Sequence, residues 1–388
     1  MPNSESSKAH TTNTRYSEHK YVFMRRLQTD LRRIGISVSM KWNRNQLGFT
    51  LSPVSLKTAR IIRLMKDERG RRLRSEREFL TRVLSNGITK QFAIGSSLDF
   101  HAINPKIEFC ASREEQDVFR LCRLLQSVPA PRLLYRQIAA LVRDAGQPGT
   151  PLIGAFGLSS TVYSLTCRDQ VLGWKTSTRK RHKGLRSCMH LTFCLAVPPY
   201  SYLRAGKMIA GLAASDSVVS EFYRKYRPDR LKTIVTTSAN GLHSPIFNRI
   251  MVRPGGLYRR IGETTGYSTL AFSRATLLAA RALVIKRDGC CPDNRAISTL
   301  KRALNICDIP RDKIVRLGIR KGVYLTGSSL HNTCEGGRRL TAWPRETDVV
   351  QYWKEKVLSK ILRRPDIVEK VSRFRAVDVL TPSFNDIR

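Results

Sequence analysis

Six cations crowd into twelve positions near the middle of the chain: Lys175, Arg179, Lys180, Arg181, Lys183 and Arg186, with Trp174 just before them. From residue 170 to residue 215 there are eight Lys or Arg and no Asp or Glu. Cations set this close without acid repel one another, and that repulsion costs stability until a polyanion neutralises it. Type and spacing therefore point to phosphate contact, with Trp174 placed to stack on a base. A second basic run, Arg60, Arg63, Lys66, Arg69, Arg71, Arg72, Arg74, Arg77 and Arg82, is interleaved with apolar positions from Ile61 to Leu84. It reads as a pair of basic helices broken at Gly70. Arg63, Lys66, Arg71 and Arg74 are its candidates to track a phosphate backbone.

Catalytic chemistry finds fewer footholds. A two-metal nuclease needs several converging carboxylates, acids are scarce here, and the likeliest pair, Asp169 and Glu263, lies about ninety residues apart. Those two would serve the alternative reading, a nucleic-acid-processing or modifying enzyme, although Asp169 reads first as the partner of Arg168 or another cation. His243 beside Ser244 has no acid at readable spacing, and no Walker A loop ends in Lys-Ser or Lys-Thr. Cys188, His190 and Cys194 cluster, Cys290 and Cys291 adjoin, and His331 precedes Cys334, yet none gives the paired Cys-x-x-Cys knuckles of a zinc site. The expectation is no metal and no cofactor, with catalytic residues unassigned.

The whole chain shares the bias. Lys plus Arg number 69 against 30 Asp plus Glu, a formal net charge of +39 over 388 residues. Unpaired Lys and Arg are almost never buried, so the excess lies on the surface and favours polyanionic partners, DNA or RNA first. A structural adaptor for an acidic partner subunit is the other non-enzymatic reading. Hydrophobic residues make up 41% of the chain, enough for packed cores and too many for wholesale disorder. The first residues do not read as a signal peptide, and the longest apolar stretch, Ala275 to Ile285, is interrupted by Arg281, so no membrane association is expected. Nine scattered cysteines, an odd number, suit reduced thiols in the cytoplasm.

The elements that would position these residues follow from periodicity. Residues 1–18 are polar and read as a disordered tail. Phe23, Leu27, Leu31 and Ile34 mark an amphipathic basic helix ending at Gly35. Ser112 is an N-cap for a helix from Glu114 to Leu125. A further helix is expected from Leu133 to Ala145, and the Gln147-Pro148-Gly149 turn then marks a domain boundary. Beyond it the chain turns β-rich: a strand pair around Phe156 to Thr161, a strand from Val171 to Trp174, a buried strand from His190 to Leu195 and a central strand in Leu231 to Ser238. Between these lie a basic helix or loop at 176–187 and helices at Leu203 to Ala214 and Val218 to Tyr226. Later come a short helix from Ser244 to Arg249, two extended pieces around Gly262 and Gly266, and helices at Leu277 to Lys286 and Arg295 to Cys307. A strand at Val323 to Thr326 and a helix from Glu346 to Leu362 complete the reading. The partition is a tail (1–18), a basic, mainly helical region (19–146), a mixed-sheet core (150–288) and a C-terminal extension of helices with a late strand (289–388). The fold class is α/β, or α+β.

Four motifs carry a resemblance. Leu133-Leu134-Tyr135-Arg136-Gln137 leads to Leu152-Ile153-Gly154-Ala155; Arg168-Asp169 is followed by Leu172-Gly173-Trp174; Phe222-Tyr223-Arg224-Lys225-Tyr226-Arg227-Pro228 precedes the central strand; and Ile261-Gly262-Glu263-Thr264-Thr265-Gly266 forms a glycine turn. In that order they resemble the DruA-like proteins, the family of the Druantia anti-phage defence system. The resemblance implies one component of a multi-gene defence island, working with other Druantia subunits of which the largest is a helicase. It implies no chemistry for the DruA component itself. Between Asn240 and Tyr258 the chain departs from the family pattern. The order of elements from Thr233 to Phe272 is also similar to the C-terminal half of the acetyltransferase fold. An acyl-CoA turn, however, would meet its pyrophosphate with Glu263, so Gly262 and Gly266 read as a tight turn or bulge.

Overall fold

In the computed structural model the described residues are 5–33, 38–43, 46–51, 69–70, 72–126, 135–175, 177–238, 246–252, 256–264, 272–290, 296–309, 321–327 and 343–377. They fall into two compact units, each made of separated stretches of chain. One takes in Met1–Leu64 and Gly266–Ile319, the other Met65–Thr265 and Arg320–Arg388. The units therefore do not follow the consecutive partition expected from the sequence.

The smaller unit is built on the helix Glu5–Arg33 and the hairpin of β1 (Val38–Asn43) and β2 (Gln46–Leu51), with helices Arg274–Asp288 and Ala296–Ile306. Phe23, Met24, Leu27 and Leu31 are fully buried and pack with Ala280, Leu283, Val284, Leu300 and Leu304. The expected apolar stripe is this seam, and Arg25, Arg26 and Arg32 lie on the exposed side. Most of the stretch expected to be a disordered tail is helical instead. Once the packed half fixes a helical nucleus, extending it through polar residues costs little per residue. Asp30 Oδ2 accepts a hydrogen bond from Ser273 N at 2.7 Å, while Ser273 Oγ caps the next helix by accepting from Thr276 N.

The larger unit is a mixed seven-stranded sheet flanked by helices, in the order β3-β4-β5-β6-β7-β9-β8. Its strands are β3 (Pro105–Phe109), β4 (Gln137–Asp144), β5 (Leu152–Ser160), β6 (Cys188–Ala196), β7 (Thr233–Ser238), β8 (Arg259–Glu263) and β9 (Gly322–Gly327). Among the described strands only β6 and β7 pair in parallel, and the helices Gly206–Leu212 and Asp216–Tyr226 lie in the connection between them. This confirms an α/β protein with a mixed sheet.

Three expectations are corrected. Residues 137–144 are a strand, not a helix, and the Gln147-Pro148-Gly149 turn joins β4 to β5 within one sheet. The reason is burial on both faces: Ile138, Ala140 and Val142 enter one core while Ala139 and Leu141 enter the other. A strand covered on both sides loses its alternation and reads as a continuous apolar run. Val171 ends a helix, Thr166–Val171, and residues 172–173 turn, so no strand runs to Trp174; Phe156 to Ser160 belongs to the single strand β5. Of the expected basic helical pair, residues 69–70 and 72–75 are helical, Arg71 lies outside the described residues, and the chain turns at Glu76 before the helix Arg77–Ser85.

The Ser112 cap is present with Glu115 completing a capping box, and β7 is interior to the sheet. Gly262, at φ 147, sits where the β8–β9 register shifts, which is the expected bulge.

Candidate nucleic-acid interface

The expected basic cluster folds as the helix Thr178–Arg186, with none of its residues fully buried. Ser177 opens it, its Oγ accepting from Lys180 N at 3.3 Å. The other end is closed from outside. Arg136 donates from Nη1 to Arg186 O at 2.6 Å and from Nη2 to Leu185 O at 2.8 Å, covering the last carbonyls where a cation is electrostatically favoured. Asp229 then ties Arg136 and Arg186 together, at 3.5 and 3.0 Å. Arg72 performs the same service for the helix Arg113–Leu125, donating to Arg123 O and Gln126 O.

The inward side is fixed by the Arg168-Asp169 signature. Both side chains are buried, and Asp169 Oδ1 accepts from Arg168 Nε at 2.8 Å and Nη2 at 2.5 Å. The rest of the guanidinium binds Thr161 Oγ1, Val162 O and Tyr163 O, so it holds the loop that leaves β5. Asp169 Oδ2 accepts from Leu165 N and pairs with Arg181 at 3.5 Å, which joins the basic helix to the clasp. Arg168 lies over the Trp174 ring at 5.1 Å, and Arg181 over that of Tyr163 at 5.3 Å.

Trp174 is only 9% exposed and belongs to the core with Cys188, Val235, Val323 and Leu325. One side of its indole is against Gly184, where an added Cβ would lie 2.2 Å from ring carbons. It is therefore a packing residue, and the base-stacking role expected for it is corrected. Gly184→Ala is expected to lower stability by about 1–3 kcal/mol through overpacking, even though alanine is the better helix former by about 1 kcal/mol. A thermal melt checks this. A stabilised variant would show that the contact is slack.

The outward side is charge without compensation. Lys175, Arg179, Lys180 and Lys183 are exposed, and none forms an ion pair with any described residue. Several carboxylates elsewhere are engaged with other cations: Asp117 with Arg82, Glu76 with Arg120, Glu108 with Arg143, Glu221 with Arg224 and Lys225. Of the predicted cluster, the fold thus assigns Arg181 and Arg186 to internal pairs and leaves the other four facing solvent. Arg63, Lys66 and Arg71 lie outside the described residues; Arg74 is exposed. Arg136, Asp229 and Lys232 were not among the expected site residues. Only the β4, β6 and β7 pairings bring them to the basic helix, so no local spacing announces them.

The carboxylates considered for metal chemistry are also committed, Asp169 as above and Glu263 to Arg260 at 2.8 Å. No group of His, Cys, Asp and Glu among the described residues could hold a metal ion. Cys188 and Cys194 belong to separate cores, and burial pushes both thiols up to about 12. Cys291, His331, Cys334, His243 and Ser244 lie outside the described residues.

His190, on β6, buries an Nε2 that finds no partner. Burial, with Lys321 and Arg168 nearby, pushes its imidazole down from 6.5 to about 4. The unfolded chain therefore binds more protons between those two pH values, and stability is expected to fall as pH drops through that window, by up to about 3 kcal/mol. His190→Leu should flatten this part of the melting-temperature profile. An unchanged profile would contradict the assignment.

These features define an α/β protein whose sheet displays an acid-free cationic helix. Residues 55–323 match the family described as Druantia protein DruA, and the chain belongs to that family. It is similar to the Druantia protein DruA of Escherichia coli (strain UMEA 4076-1), with 28% identity over 344 residues, covering 81% of this chain and 83% of that protein. No solved structure matches. Membership makes the chain a component of the Druantia anti-phage defence system. Among the described residues, no helix is long and apolar enough to cross a membrane.

Proposed function

We propose that the chain is the nucleic-acid-binding subunit of its Druantia system, gripping phosphates through the helix Thr178–Arg186 and delivering the strand to a helicase partner. The observation that carries this reading is the set of four exposed cations, Lys175, Arg179, Lys180 and Lys183, with no described carboxylate to neutralise them. Arg63, Lys66, Arg71 and Arg74 would extend the grip, and the described cysteines, all free thiols, suit work in the cytoplasm.

Phosphate contact is ionic, so binding should release counterions and depend steeply on salt. Titration of the full chain with labelled duplex and single strands, DNA and RNA, tests it. With six to ten phosphates engaged, affinity should fall by about 10³–10⁵ between roughly 50 and 200 mM salt. Absence of binding to every strand at low salt overturns the reading and leaves the adaptor for an acidic subunit.

A further inference from the structure

Trp174 is packed away, but another aromatic ring stands beside the basic helix. β5 leaves the sheet through residues 161–165, and this loop is pinned at four points. Arg168 donates to Thr161 Oγ1, Val162 O and Tyr163 O, and Asp169 accepts from Leu165 N. The side chains of Val162 and Tyr163 are left outside, 54% and 51% exposed. Tyr163 lies against the helix Thr178–Arg186. Its ring meets that of His182 edge to face with centroids 5.6 Å apart, its hydroxyl shares a hydrogen bond with His182 Nε2 at 3.1 Å, and Arg181 lies over it. His182 in turn belongs to a row, Arg179, His182, Lys183 and Arg186, whose i, i+3, i+4, i+7 spacing puts it on one exposed face of the helix. Between Thr161 and Ser187 the sequence holds a single acid, Asp169, and it is buried.

We propose that Tyr163 is the platform on which an unpaired base of a bound strand stacks, so that this face takes single-stranded nucleic acid. The proposal rests on the phosphate-binding reading and deepens it by naming the substrate class. Phosphates lying along Arg179, Lys183 and Arg186 bring the bases of a strand alongside the ring that flanks the row. A cationic track with an aromatic surface beside it is the combination that holds single strands without reading their sequence. An unpaired base offers its π-face to the ring, whereas a base inside a duplex is stacked on its neighbours and must first be extruded, at a cost. The ring is also held before the strand arrives. With the loop pinned by Arg168 and the hydroxyl tied to His182, little further freedom is lost on binding.

The test measures the full chain's affinity, at one moderate salt concentration, for oligothymidylate, oligouridylate, an abasic strand with the same number of phosphates and a duplex of equal length. At least one of the two strands with bases is expected to bind about tenfold tighter than the abasic strand. Tyr163→Ala should remove that advantage, a loss of about 5- to 150-fold, while affinity for the abasic strand and the duplex stays as it was. Tyr163→Phe keeps the ring and should bind as the native chain does. Tyr163→Leu keeps apolar bulk without the ring and should match the alanine variant, which covers the case in which alanine disturbs the loop. Equal affinity for strands with and without bases overturns the platform and leaves the phosphate reading intact. So does a loss in Tyr163→Ala and Tyr163→Leu that is shared by all four probes, or no loss at all. No binding of any probe overturns both.

Discussion

Replacing Lys175, Arg179, Lys180 and Lys183 together by glutamate is expected to abolish protection against phage and to weaken nucleic-acid binding by at least about a hundredfold at moderate salt. Each substitution removes an attraction to phosphate and adds a repulsion. If all four contact phosphates, the slope of log affinity against log salt should flatten by about 3 to 4. The folded state should not suffer, because all four are exposed and pair with no described acid. Arg181 stays in this design, since reversing it would place a carboxylate beside buried Asp169 and confound binding with folding. A variant with native circular dichroism and undiminished protection would refute the assignment of this face.

Removing the buried acid should have the opposite profile, damaging the fold first. Asp169→Ala leaves Arg168, 0% exposed, as a charge without its counterion, and frees Leu165 N and Arg181 as well. Losing one partner of a buried pair costs about 3–5 kcal/mol, because the survivor remains desolvated. That is a large share of the 5–15 kcal/mol by which domains are usually stable. Urea unfolding should register this loss, and amide exchange should rise first in residues 161–186, which the clasp holds. Arg168→Met combined with Asp169→Leu is expected to recover part of the deficit, since no orphan charge is left. A loss under about 1 kcal/mol in Asp169→Ala would mean that water reaches the pair, and that the signature residues do not set the position of the basic helix.

How much of this was legible in the sequence depended on whether the property was local. The acid-free run around Lys175 to Arg186 is visible without any fold, and Ser177 with the following polar residues suffices for a helix. What the run lacks is any mark of direction, so Arg181, turned toward Asp169, looks no different from Lys183, turned to solvent. Residues 137–144 misled because both faces are covered. The hairpin β1–β2 was overlooked although Val38, Met40 and Trp42 alternate with polar residues, and Leu47, Phe49 and Leu51 with Gly48 and Thr50. Trp174 beside cations suggested stacking; only the proximity of Gly184 shows the ring to be packed. Arg136 could not have been found from spacing, since it reaches Arg186 fifty residues away.

Lysine labelling with an amine-reactive reagent, with and without bound nucleic acid, reads the proposed interface directly. The account predicts that Lys175, Lys180 and Lys183 lose reactivity when the strand binds, while the exposed Lys90 and Lys106, on other parts of the larger unit, label as before. A saturated complex in which all five lysines keep their free reactivity would contradict it.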